Sequence, residues 1–392
     1  MKIKALLGCA ALALGAAAAC AEPLPGEVTV VVQGRIHEGA PFYQNEEGQW
    51  FVPLAEISAA AGLGAPVLED GFIDWEGFWM DSTNPDFFMN GDTLYAASYL
   101  LEDAGLTVKT SCVEGVNVIA IGCSGGMDVS WASSPYVAHA LGGIDGRRYT
   151  NSQEAFSESY RKNYTLYEAD LTLSAEGVPL LIHDLAQYEV HVQNGDETVQ
   201  VDLPPTVEQF TSRKILGQYT GLTFEDLARL MVQFPSVTII TDTGGTDEQS
   251  VKEMFRAILD VAQAVDPAIL DRIIPQVYNN DMIGWLNELY PWRSMVYTFY
   301  QLPQGMTQEE AFFYGYSQGL RAFAVEQGGV EPRLMALAEA MDCKAYVYTL
   351  NDWGMLVYEL QTMHASGIYT DFLDPLSMEG VEEWTDETVP AD

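Results

Sequence analysis

The chain has 392 residues, 56 of them acidic against 18 basic, for a formal net charge of -38. A field of that sign repels nucleic acid and anionic membrane, which excludes polyanion binding outside a local site and suits a protein that meets Ca²⁺ or Mg²⁺. The length exceeds one ordinary core and predicts about two domains, while a hydrophobic fraction of 48% excludes wholesale disorder.

Residues 1–21 read as an export signal. Lys2 and Lys4 precede the apolar run Ala5 to Ala19, and Ala19-Cys20-Ala21 offers a small-x-small cleavage site before Glu22-Pro23. The run is too short and alanine-rich for a stable bilayer span. Three fates stand open: secretion, a cell-surface lipoprotein with Cys20 as its first residue, or an uncleaved anchor. The lipoprotein reading lacks the usual leucine, since Ala17 stands there.

Residues 27–125 read as a small α+β accessory domain. Val28 to Val32 is a β-branched strand, and Gln49 to Leu54 begins a helix that runs to Ala61 and stops at Gly62. A similar unit recurs about 43 residues on, from Asp92 to Ala97, with a helix to Ala104, then Gly105 and two strands. Val113-Glu114-Gly115 is a turn signal, and an exported setting permits a disulfide between Cys112 and Cys123 across it. Cys343 reads as a small buried apolar residue.

Gly122 to Gly126 and the polar residues up to Ser134 mark a domain boundary. Beyond it, short apolar strands alternate with helices, the pattern of a parallel sheet with crossovers. The strands are Tyr136–Ala138, Leu166–Leu171, Val237–Thr241, Ile273–Val277, Met295–Thr298, Leu320–Ala324, Ala345–Thr349 and Ile368–Thr370. The helices are Ser152 to Lys162, Phe224 to Val232, Asp247 to Val265, Gln308 to Gly315 and Pro332 to Met341. Eight such units in about 250 residues predict a (β/α)₈ TIM barrel over residues 136–378, with a doubly wound sheet as the alternative. The fold class is thus α/β, a barrel preceded by a small α+β domain. Leu171 to Ile182 interrupts the alternation as an inserted hairpin arm, and Tyr188 to Gln193 alternates about His191 as a strand would.

Barrel enzymes work at the C-terminal ends of their strands. His139 ends the first strand there, Glu168 and Asp170 lie in the second, Asp242 ends the third, Asn351 follows the seventh and Asp371 the eighth. Glu168 and Asp170 are two apart and point to one face, where two ionised carboxylates need a cation. Asp242 on the adjacent strand would complete a three-carboxylate site. His139 and His183 are candidates to move protons, and Arg147 and Arg148 to meet a phosphate. Each has a plainer reading: strand-end caps for the histidines, a solvated edge for the acid pair, a helix cap for Asp242 and a solvated loop for the arginines.

Two stretches resemble known families. Phe51-Val52-Pro53-Leu54 with its helix, echoed from Leu94 to Gly105, resembles the accessory domain named after the copper amine oxidase N-terminus, which implies cell-wall or membrane-surface association. Ala138-His139, Thr150-Asn151-Ser152 with Glu154-Ala155-Phe156, Glu168-x-Asp170, Gly177 to His183-Asp184, Thr241-Asp242, Tyr348 to Asp352 and Gly367 to Asp371 resemble the glycerophosphodiester phosphodiesterase family. That likeness implies a divalent cation, Ca²⁺ or Mg²⁺, on Glu168, Asp170 and Asp242, and catalysis by His139 and His183. Asn151, Arg147 and Asn351 are the candidate substrate contacts, and a small or lipid-derived phosphodiester the substrate. Three positions depart from the family: Ala140 replaces an arginine, Thr150 an acid and Gly244 a lysine. Their loss leaves an alternative, a weak or inactive cell-surface barrel that binds a phosphorylated or polyol ligand.

Overall fold

The computed structural model describes residues 21–23 and 28–378. The expected leader, with Cys20, lies outside them apart from Ala21. The chain divides at Gly125 into two compact units, and helix Pro332–Ala340 with its turn to Asp342 groups with the first. Among the described residues no helix is long and apolar enough to cross a membrane.

In the first unit the two echoing segments pair with each other. Strands Trp50–Pro53 and Thr93–Ala97 are antiparallel neighbours, with Tyr95 opposite Pro53 and Ala97 opposite Phe51. Each leads toward a helix, Leu54–Ala61 and Leu100–Asp103. The first helix starts later than expected, at Leu54, because Pro53 forces the residue before it to be extended. Val52, Leu54, Ile57, Trp75, Ala96, Leu101 and Ile119 share one core.

The Val108–Val113 and Val116–Ile121 hairpin turns through Glu114 and Gly115, both at positive φ. Its register corrects the disulfide expectation. Cys112 lies opposite Asn117, so Cys123 sits six positions further along, roughly 20 Å away at strand rise. A disulfide needs Cα atoms within about 7 Å, and the two cysteines are not joined.

The second unit is a closed barrel of eight parallel strands in sequence order: β1 (Tyr136–Ala138), β2 (Leu166–Asp170), β3 (Thr238–Asp242), β4 (Ile273–Val277), β5 (Val296–Thr298), β6 (Ala322–Glu326), β7 (Lys344–Tyr348) and β8 (Gly367–Thr370). Pairing of β8 with β1 closes it, which rules out the doubly wound sheet. Alternate residues fill the interior, among them Val137, Leu166, Ile240, Ile274, Val296, Ala324, Tyr346 and Tyr369. The helix Glu248–Val265 shows why the crossovers form. Its buried Val251, Met254, Phe255, Ile258, Leu259 and Ala262 recur at helical spacing, and the Asp247 carboxylate caps it by accepting from the Ser250 amide at 3.0 Å.

Two features shape the mouth. Thr172–Leu173 pairs with Pro179–Leu180 as the expected hairpin arm, after which the chain reaches His183. The segment around His191 is a helix, Leu185–Gln193, where a strand was expected. Asp184 caps it through the Gln187 amide at 2.7 Å, and Leu185, Tyr188 and Val192 face one apolar cluster at helical spacing. That helical set outweighed the short polar alternation.

Candidate active site

Leu166, Glu168 and Asp170 share the inward face of β2. The last two stand at its C-terminal end, beside Asp242 of β3, which pairs in register with Asp170. Glu168 and Asp170 are only 2% and 5% exposed. One ligand oxygen from each of Glu168, Asp170 and Asp242 lies within 4.8 Å of the others, the single such cluster among the described residues.

Each carboxylate is braced from outside. Glu168 Oε2 accepts from the Ala140 amide at 2.6 Å, while its Oε1 is buried with no hydrogen-bond partner. Asp170 Oδ2 accepts from Asn151 Nδ2 at 2.7 Å, and the Asp170 amide donates back to Asn151 Oδ1 at 3.2 Å. Asp242 accepts from the Tyr278 hydroxyl at 2.6 Å, Gln276 Nε2 at 2.9 Å and the Gly244 amide at 3.1 Å. The Tyr300 hydroxyl stands 3.4 Å from both its oxygens.

Burial, then the neighbouring acids, pushes Glu168 well above the ordinary carboxylate range. The same burial, with Asp242 beside it, lifts Asp170 to about 6. A buried orphan oxygen and three converging carboxylates, two of them held above their ordinary range, are a donor set for a hard divalent cation. The residues fit the group the sequence implied.

Both histidines pack against the Tyr149 ring. Its ring centroid is 4.9 Å from that of His139 and 4.4 Å from that of His183. His139 Nδ1 donates to Asp371 Oδ1 at 2.9 Å, and Asp371 is 4% exposed. Asn351 holds that acid, with Nδ2 donating to Asp371 Oδ2 at 2.7 Å and Oδ1 accepting from the Asp371 amide at 2.9 Å. His183 Nδ1 donates to Asp184 Oδ2 at 2.9 Å. A carboxylate on Nδ1 fixes the tautomer and leaves Nε2 of each ring to take or give a proton.

The expected residues thus gather at one mouth, with a division of labour that spacing did not show. Asn151 and Asn351 spend their amides on Asp170 and Asp371. Arg147 and Arg148 are exposed on the loop before Tyr149. Asp371, Tyr149, Tyr278, Gln276 and Tyr300 were given no role beforehand. Of these, Asp371 had a signal, a carboxylate at the end of the eighth strand. The loop carrying Tyr149 is bent tightly: Ala140, Leu141, Asp145, Tyr149 and Asn151 all take positive φ, between 44° and 64°. Such conformations persist where surrounding contacts impose them, as at functional sites.

A sequence model of the glycerophosphoryl diester phosphodiesterase family matches residues 143–375. Among solved structures, a phosphodiesterase from Oleispira antarctica in complex with the product sn-glycerol-3-phosphate is 15% identical. It superposes with a TM-score of 0.51 over 62% of this chain and 95% of that one. A protein from Silicibacter pomeroyi, named as a glycerophosphoryl diester phosphodiesterase, is 16% identical with a TM-score of 0.50, over 60% of this chain and 89% of that one. One from Galdieria sulphuraria, named as a glycerophosphodiester phosphodiesterase, is 12% identical with a TM-score of 0.50, over 62% and 94%. At these identities the likeness shows a shared fold. Among curated proteins none matches.

Proposed function

The chain belongs to the glycerophosphoryl diester phosphodiesterase family, a family of phosphoric diester hydrolases, and we propose that it is an exported, cation-dependent member acting through two histidines. The observation that carries this reading is the convergence of the acid triad with two carboxylate-held histidines at one barrel mouth. Ca²⁺ or Mg²⁺ on Glu168, Asp170 and Asp242 would supply a Lewis acid for the phosphoryl oxygens. Glycerophosphodiesters are the substrate class, and the product complex of the Oleispira antarctica protein supports it.

The side chains do the rest. Asp371 orients His139 and Asp184 orients His183, each presenting Nε2. One ring accepts the proton of the attacking hydroxyl, from water or the substrate glycerol, and the other protonates the leaving alkoxide. Tyr149 packs against both rings and can donate its hydroxyl to the phosphate. Burial raises that hydroxyl's pKa, Asp371 and Asp170 add to the rise, and the Arg148 charge opposes it. The protonated hydroxyl is therefore available as a donor, and we assign to Arg147 and Arg148, exposed on the same loop, the charge that the family's missing cations would supply.

The departures at Ala140 and Gly244 favour the second reading, a surface barrel that binds a phosphorylated or polyol ligand without turnover. Ala140 is fully buried and gives its amide to Glu168, and Gly244 carries no side chain toward Asp242. Hydrolysis of glycerophosphodiesters by the purified chain decides between them. The proposal expects turnover that falls about 10²–10⁴-fold in His139→Ala and in His183→Ala. Ligand binding without turnover establishes the second reading instead.

A further inference from the structure

Tyr300 stands in the short 3₁₀ turn Phe299–Gln301 that follows β5, at the C-terminal mouth of the barrel. In a ring of eight strands β5 lies four places from β1 in either direction, so this turn faces the strand that His139 follows. The Tyr300 ring meets the rings of Tyr278 at 5.4 Å and Tyr348 at 6.2 Å, both edge to face. Two tyrosines thus hold it in place while 41% of the residue stays open to solvent.

The nearest acceptor for its hydroxyl is already served. Asp242 Oδ1 takes the Tyr278 hydroxyl at 2.6 Å and the Gly244 amide at 3.1 Å, and Oδ2 takes Gln276 Nε2 at 2.9 Å. The Tyr300 hydroxyl reaches both oxygens at 3.4 Å, beyond the roughly 3.0 Å limit of a well-formed O–H···O bond. Tyr278 and Gln301 also bear on this hydroxyl as donors, which leaves its own proton for another acceptor. Gly244 puts nothing in the way, since a Cβ there would meet no atom within 4 Å. The place of the family's lysine is therefore open, and the donor set beside Asp242 instead is neutral. Neighbouring oxygens around a hard cation stand roughly 3 Å apart. A phosphoryl oxygen that shares a cation with Asp242 can therefore come within hydrogen-bond reach of a hydroxyl 3.4 Å from that carboxylate. A phenol stays protonated at neutral pH, and a charged phosphoryl oxygen is a stronger acceptor than a carboxylate already given to other donors.

We propose that Tyr300 is a catalytic residue of this site, a neutral donor to the phosphoryl oxygens that serves in place of the lysine missing at Gly244, across the barrel from His139. The inference rests on the phosphodiesterase reading and adds to it a residue that contacts the substrate. Tyr278 differs in role: its hydroxyl is spent on Asp242, so it is a positioning residue for the acid triad.

The test compares Tyr300→Phe and Tyr278→Phe with the parent, each as the full chain and checked for folding by its melting temperature. Calorimetry measures the affinity for Ca²⁺ and Mg²⁺ alone, then for sn-glycerol-3-phosphate at saturating cation, and steady-state kinetics measures kcat/KM on glycerophosphoglycerol. Tyr300→Phe is expected to hold the cation within about twofold of the parent. Its kcat/KM falls about tenfold to a hundredfold, the scale of one hydrogen bond to a charged group, and the deficit persists at saturating cation. Binding of sn-glycerol-3-phosphate weakens with it. Tyr278→Phe is expected to show the reverse, weaker cation binding and turnover that recovers as the cation is raised. Tyr300→Phe that matches the parent in kcat/KM, or that behaves as Tyr278→Phe does, overturns the assignment. If the parent cleaves no diester, the catalytic reading fails by itself, and binding of sn-glycerol-3-phosphate judges Tyr300. Weaker binding in Tyr300→Phe at saturating cation then supports the donor, while equal binding, or none by the parent, refutes it.

Discussion

Asp170→Asn separates what the acid triad costs the fold from what it does in the site. Asp170 is 5% exposed, paired in register with Asp242, and pushed from 3.8 to about 6 by burial and by Asp242. A carboxyl whose folded pKa is raised gives its full stability below the unfolded value and loses it as pH rises through the folded one. For Asp170 that window runs from about pH 4 to pH 6, and the loss above it is about 3 kcal/mol. Asparagine keeps the oxygen that accepts from Asn151 and never ionises, so it escapes that loss. Allowing for an imperfectly placed amide, the cation-free variant gains about 1–3 kcal/mol at pH 8. That is several degrees in melting temperature, at about 2–4 °C per kcal/mol. Thermal unfolding in EDTA at pH 8 and pH 4 reads it. The expected pattern is a higher melting point at pH 8, little difference at pH 4, and loss of both hydrolysis and cation-induced stabilisation. A variant that melts lower at pH 8, or gains equally at both pH values, refutes the argument that buried like charges dominate this site.

Other consequences follow from the same geometry. Cation binding must displace protons from Glu168 and Asp170, so affinity falls as pH drops below about 6 and binding releases protons there; calorimetry in buffers of different ionisation enthalpy measures both. Asp371→Asn lets the His139 ring adopt the other tautomer, so kcat drops about 10²-fold or more with little change in KM, read from steady-state kinetics. Tyr149→Phe keeps the ring against both histidines and loses only a donor, for a several-fold loss, whereas Tyr149→Ala frees both rings and costs at least tenfold more. Far from the site, Glu359 is 2% exposed and lifted to about 7 by burial. Its stability contribution is lost between about pH 4.5 and pH 7, so Glu359→Gln melts progressively higher than the parent across that window, by up to about 3 kcal/mol above it.

The barrel was legible because parallel strands buried on both faces read as short apolar runs, and all eight came within two residues of their observed bounds. The acid triad was legible for a related reason. Two acids at strand spacing on an inward face, and a third at a neighbouring strand end, conflict with an apolar interior and so announce themselves. What stayed hidden depends on register and closure. The His139–Asp371 pair joins residues 232 apart and exists because β8 returns to β1. The Cys112–Cys123 expectation failed because the strand beyond the turn carries Cys123 away from its mate. Tyr149 sits in a loop whose positive φ values carry no periodic signal, so nothing in its neighbourhood placed it against both histidines. The helix around His191 was missed because six residues of alternation are weaker than a cap and an apolar stripe that only the fold brings into use.

The account stands or falls on release of sn-glycerol-3-phosphate from a glycerophosphodiester by the purified chain, with Ca²⁺ or Mg²⁺ and with EDTA. It predicts product formation that needs the cation and disappears in Asp170→Asn and His139→Ala. Product formed equally in EDTA, or none with either cation in a folded protein, contradicts it.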